Sequence, residues 1–175
     1  MKRTILLFAA LLLLFALGCG GTAGRTDDPN VVFIDPNAVY GGEYGDLYFE
    51  ADGVRFGIYD EAEPILSALS KENGTITRAS CAFDHEDVFH LYPSFEIRTN
   101  EINGVDRITS IRLTDDLIET PQGLYIGMSE TDAAAAFPAL SEAGWNLADG
   151  TALLSVTIVD GVVTGIVYTP AITED

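Results

Sequence analysis

The chain has little of the residue types on which chemistry is most often built. It holds two Cys, two His, two Met and one Trp in 175 residues, and nine Lys and Arg against 27 Asp and Glu. Two Cys cannot make a disulfide framework, and no C-x-x-C occurs. So few cations, at a formal net charge of −18, exclude binding to nucleic acid through its backbone, and equally adhesion to anionic lipid by charge. The G-x-S-x-G elbow, the Walker loop, the dinucleotide fingerprint and the D-x-[DN]-x-[DN]-G calcium loop are all missing. With no metal-binding or cofactor pattern present, the sequence implies no cofactor and no enzyme. The acids are scattered rather than blocked, which is the pattern of a solubilising surface.

What the chain does have is a distinctive start, MKRTILLFAALLLLFALGC. Lys2 and Arg3 precede an uninterrupted apolar run over 5–17, and Gly18-Cys19 closes it. The run is shorter than the roughly 20 residues that a membrane-spanning helix needs, and it has the anatomy of an export signal. The Cys directly after a small residue makes it resemble a bacterial lipoprotein signal, although Ala16 stands where such signals usually carry Leu. The resemblance implies cleavage before Cys19, a lipid on the Cys19 thiol, and a cell-membrane location on the extracytoplasmic face. Removing residues 1–18 takes Lys2 and Arg3 away and makes the remainder still more acidic. Membrane association must then come from the lipid, and stable tethering needs more than one acyl chain. With Cys19 lipidated, Cys81 has no disulfide partner and reads as a small thiol packed in a core.

Residues 19–45 are rich in Gly, Pro, Asn and Asp and read as a flexible tether. The apolar island 31–34 is the one part of it able to dock as an edge strand. From residue 46 the chain reads as α+β, two degenerate helix-on-antiparallel-sheet repeats over 46–118 and 119–170, with a tail at 171–175. The opening strands are Gly53-Val-Arg-Phe-Gly57 and Gly123-Leu-Tyr-Ile-Gly127. Each leads to a helix signalled by its own cap, Asp60-x-x-Glu63 or Ser129-x-x-Asp132. The apolar faces are Ala62, Ile65, Leu66 and Leu69 in one helix and Ala133, Ala136, Phe137 and Leu140 in the other. Pro138 ends or kinks the second helix near Phe137, and Gly144 offers a second stop, with Trp145 packing beside it. Strands are expected over 75–83, 88–92, 95–99, 108–114, 152–159 and 163–169, and Asp160-Gly161 is a strong hairpin signal. The segments 108–114 and 163–169 align as the closing strands of the two copies.

The segment Gly127-Met-Ser-x-x-x-Ala133-x-x-x-Phe137-Pro resembles the helix opening of the β-lactamase-inhibitor-protein-like modules and of small outer-membrane-assembly lipoproteins. The stretch from Gly57 to Leu69 resembles it more loosely. The whole chain is similar in style to lipoproteins of Gram-positive bacteria. The resemblance implies a protein-binding or cell-envelope module with a protein or cell-wall partner. Inhibition of a secreted enzyme is the alternative, and a metal-dependent secreted hydrolase a weaker one.

That weaker alternative depends on His85-Glu86-Asp87-Val88-Phe89-His90. The two imidazoles are five apart, one residue beyond the H-E-x-x-H spacing of a zinc helix. On a helix they diverge by about 140°, and on a strand they take opposite faces. The sequence therefore reads as a polar turn over 84–87, with His90 facing away from Phe89 and Leu91. Asp60, Glu61 and Glu63 read as capping residues, and Asp115 and Asp116 as a strand-end pair. Arg55 and Tyr125, each mid-way along its opening strand, are expected to face solvent, as residues of a binding surface would.

Overall fold

The computed structural model describes residues 46–81 and 85–171. The signal, Cys19, the tether and most of the tail lie outside them. Alternating apolar and β-branched runs build a seven-stranded antiparallel sheet from β3 (Gly74–Ala79), β4 (Glu86–Leu91), β5 (Phe95–Ile102), β6 (Val105–Leu113), β7 (Asn146–Asp149), β8 (Ala152–Val159) and β9 (Val162–Pro170). Their order is β3-β4-β5-β6-β9-β8-β7. A separate hairpin joins β1 (Phe49–Ala51) to β2 (Val54–Phe56), and three short helices follow the chain as α1 (Ala62–Ala68), α2 (Glu130–Ala136) and α3 (Pro138–Glu142). The architecture is α+β with a mainly antiparallel sheet.

Three hairpins turn on the same chemistry. Asp52-Gly53, Asn103-Gly104 and Asp160-Gly161 each place two successive residues at φ between 52° and 78°. A type I′ turn demands this, and a short polar residue followed by Gly meets it at least cost.

The core lies on one face of the sheet. Ile97, Ile108, Ile111, Leu154, Val163, Ile166 and Tyr168 project from it with 0–1 % exposure, and the helices cover them with Ala62, Ala133 and Leu140. The β1–β2 hairpin adds Phe49 and Phe56 to the same cluster. Phe49 meets three rings, those of Phe56, Phe95 and Tyr168, at centroid distances of 5.6, 5.3 and 6.1 Å.

At the centre of the sheet, β6 and β9 pair only through Ile111↔Tyr168 and Arg112↔Val167. Beyond that contact each strand is flanked by the segment leading into a helix. Tyr59 N–H donates to the Ile108 carbonyl and Ile108 N–H to that of Asp60; Gly127 N–H donates to the Val163 carbonyl and Val163 N–H to that of Met128. Both strands also carry a bulge one residue further on. The β5–β6 register skips Thr109, and the β8–β9 register skips Thr164.

Several expectations are corrected. Residues 123–127 are not a strand but a succession of turns, closed by Thr120 N–H to the Leu124 carbonyl and Leu124 N–H to Thr120 Oγ1. Asp60 does not cap α1: the N-cap is Glu61, without a side-chain bond, and Asp60 Oδ2 instead accepts from Gly57 N–H at 2.8 Å. Ser129 does cap α2, accepting from Asp132 N–H at 3.1 Å. The second apolar helix face is split, because the chain breaks at Phe137 (φ −138°) and Pro138 starts α3. Ala136 is consequently exposed, while Leu140 reaches the core from the next helix. Trp145 follows Gly144 at φ 68° and packs half-buried against the core.

Candidate functional site

Among the described residues, two polar clusters and one open sheet face stand out as candidate sites. The first cluster lies beside the β3–β4 connection. His85 Nε2 stands 3.6 Å from Glu101 Oε1, with both side chains more than half exposed, in a concavity also lined by Ser80, Glu86 and Asp106. The strand β4 starts at Glu86, earlier than the expected turn over 84–87 allows. Asp87 is therefore a strand residue, 8 % exposed, and Asn100 Nδ2 donates to its Oδ1 at 2.7 Å.

The second cluster joins the loop after α1 to the β1–β2 turn and to β4. Asp52 Oδ2 accepts from the backbone N–H and the hydroxyl of Ser70, at 3.1 and 2.6 Å, and these two bonds hold its carboxyl below the usual range. His90 reaches Glu72 Oε1 through Nδ1 and Thr99 Oγ1 through Nε2, each at 3.3 Å. The two histidines thus go to different carboxylates on different elements. No group of three His, Cys, Asp or Glu among the described residues could hold a metal ion.

Tyr92 lies in this second region, 4 % exposed and stacked on Phe95 at 4.6 Å. Its hydroxyl is buried without a hydrogen-bond partner among the described residues. Burial pushes the phenol up to about 12, and the carboxylates of Glu72 and Asp52 add to the effect. An unpaired buried hydroxyl costs roughly 1–3 kcal/mol. Tyr92→Phe is therefore expected to raise stability by about 1 kcal/mol in urea titration. The raised phenol also sets a sign. Between the unfolded value near 10 and about 12 the folded state keeps a proton that the unfolded chain releases, so stability falls as pH rises through that window. The Phe variant should lose this part of the alkaline slope. An unchanged slope would show that the phenol does not contribute.

Of the other residues singled out, Cys81 is exposed rather than buried; β3, expected to run through it, ends at Ala79. Arg55 is exposed, pairs with Glu50 at 3.6 Å and lies over the Tyr48 ring at 4.1 Å. Tyr125 is 37 % exposed in the turn region, not in a strand. Asp115 Oδ1 closes a local turn by accepting from Leu117 N–H at 2.9 Å.

The face of the seven-stranded sheet opposite the helices is the third place, and sequence reasoning missed it. Strands β4, β8 and β9 put Phe89, Leu91, Leu153 and Val167 on that side, but no single strand's alternation marks the face as a site. No family model matches this chain, and neither the curated proteins nor the solved structures contain a match to it.

Proposed function

We propose that the chain is a lipid-anchored, extracytoplasmic binding protein, held at the cell membrane through a lipid on Cys19, with a protein or cell-wall component as its partner. The observation that carries the reading is the run from Met1 to Cys19, a short basic, apolar and small-residue sequence ending in a thiol. No helix among the described residues is long and apolar enough to cross a membrane, so in this reading the lipid supplies the attachment.

The binding part consists of two degenerate copies of a helix-on-sheet unit. Three correspondences support the duplication. Ile108 and Val163 each exchange two hydrogen bonds with the segment entering a helix. Thr109 and Thr164 are each the bulged residue that follows. Arg112 and Val167, which occupy equivalent places in the aligned strands, pair with one another across the centre. These matches set Glu61 against Ser129 and Leu69 against Phe137, the N-caps and C-caps of equally long helices. That alignment places Ile65 on Ala133, a shift of three residues from the pairing that apolar spacing alone suggests. Among the described strand residues the open face carries one aromatic ring, Phe89. This favours a general binding module over the aromatic-rich surface expected of an enzyme inhibitor.

Replacing Cys19 by Ala tests the anchor. Wild-type protein is expected in the membrane fraction, with a lipid mass on the N-terminal Cys19 peptide. The variant should lose membrane association at least about ten-fold, because a soluble acidic body has no other strong membrane contact. An unmodified Cys19 in the mass spectrum would overturn the reading.

A further inference from the structure

The helices cover one face of the sheet and leave the other open. Successive strand residues alternate between faces, and the register brings Phe89, Leu91, Ser110, Leu153, Ser155 and Val167 together on the open one. All six are partly buried, yet none of the four apolar ones belongs to the core cluster or packs against it. This is a half-apolar surface with no described element over it.

Its charge is unlike the rest of the molecule. Strand residues on this face include two carboxylates, and each stands by an arginine of the same face. Glu96 Oε2 is 3.1 Å from Arg112, and Asp87 Oδ2 is 4.0 Å from Arg98. A third arginine, Arg78, lies over the Phe89 ring at 5.5 Å. A chain of net charge −18 therefore presents a broad surface without uncompensated acid. A basic partner would find no free carboxylate there to pair with. A strongly acidic contact surface would find Arg112 and Arg98 already beside carboxylates and Arg78 over an aromatic ring. The occupant that fits has a charge-balanced, half-apolar face of its own.

We infer that this occupant is a second copy of the chain, joined open face to open face about a two-fold axis. The inference rests on the reading of the protein as a binding module. The dimensions agree with what a stable dimer needs. Seven strands about 4.8 Å apart, of four to nine residues rising about 3.3 Å each, give a face of roughly 800 Å². A standard interface takes about 800 Å² from each partner. The acidity of the two bodies does not prevent the contact. Stacked sheets lie about 10 Å apart and helices are about 10 Å thick, so the two helical layers end up roughly 30 Å from each other. That is several Debye lengths at physiological salt. A two-fold contact also uses the same patch twice and so closes without propagating.

The test is photo-cross-linking of the full chain in the cells that make it. A photoreactive amino acid placed at Ser110 is expected to yield an adduct of twice the chain mass containing only this chain, and one at Ser67, exposed on α1, none. Arg112→Glu, which leaves two carboxylates side by side, should reduce the Ser110 adduct at least about ten-fold. The exchanged pair Arg112→Glu with Glu96→Arg should restore it, which separates the interface effect from misfolding. A Ser110 adduct with a different protein would overturn the dimer and leave the binding reading standing. Adducts of twice the chain mass from Ser67 alone would place the contact on the helical side and would likewise overturn it. The absence of adducts from every position would remove both.

Discussion

Phe49→Ala is expected to cost about 4 kcal/mol and to lower the melting temperature by roughly 10–20 °C. The side chain is fully buried, and three rings surround it. Those rings come from β2, β5 and β9 (Phe56, Phe95 and Tyr168), so one side chain ties the small hairpin to both halves of the large sheet. Removing it forfeits the transfer energy of a phenyl group, opens a cavity that rigid strands cannot close, and loses edge-on ring contacts worth about 1 kcal/mol each. Domains of this size hold only about 5–15 kcal/mol in all, so a large share of the stability is at stake. Thermal unfolding followed by circular dichroism reads the effect. A loss under about 1 kcal/mol would mean that the hairpin is not part of the cooperative core. Phe49→Leu keeps most of the volume and should cost less than half as much.

Phe49 also shows where sequence reading stops. Its strand is three residues long, too short for a period of two to declare itself, and the 46–53 stretch was not expected to form one. The Asp52-Gly53 turn carries the same signal as Asp160-Gly161, but only the second is flanked by runs long enough to reveal a hairpin. The strand β7 (Asn146–Asp149) escaped for the same reason. Where alternation extends over six or more residues, as in β8 and β9, strands and inward residues are legible almost to the residue, whereas β6 starts three residues before the expected 108. Edges are not legible. The alternation in 75–83 suggested a half-buried strand and a buried Cys81. Periodicity reports which face a residue takes, however, and not how deeply that face is buried; the six residues of the edge strand β3 are all exposed. Caps failed differently. Asp60 was a plausible N-cap by type and spacing, but tertiary pairing of Tyr59 and Asp60 with Ile108 fixes the helix start one residue later and assigns the carboxylate to Gly57. The open face was invisible as a site because it is assembled from positions on strands far apart in the chain, each unremarkable alone.

Asn100→Leu is the second substitution expected to be severe, at about 3 kcal/mol, by a route unlike that of Phe49. Asn100 is 1 % exposed and is the hub of a buried polar network. Its Nδ2 donates to Asp87 Oδ1 at 2.7 Å and to the Glu86 carbonyl at 3.2 Å, and its Oδ1 accepts from the Thr109 hydroxyl at 2.5 Å. Thr109 is the bulged residue of β6, so the amide of Asn100 in β5 holds together the β4 start and the β6 bulge. Leucine matches the amide in size but donates nothing. Asp87, itself buried, loses its nearest donor and keeps Arg98 at 4.0 Å as its charge partner. The Thr109 hydroxyl retains only the Arg98 carbonyl, at 3.3 Å. Leaving such groups unpaired costs about 1–3 kcal/mol for a neutral one and more for a charge, whereas removing both partners together is far milder. The double variant Asn100→Leu with Asp87→Leu should therefore be at least about 1 kcal/mol more stable than the sum of the two single losses. Urea titration of the four proteins in the cycle measures this directly. Strict additivity would show that Asn100 acts by filling space, and that the bulge at Thr109 is held by the backbone alone.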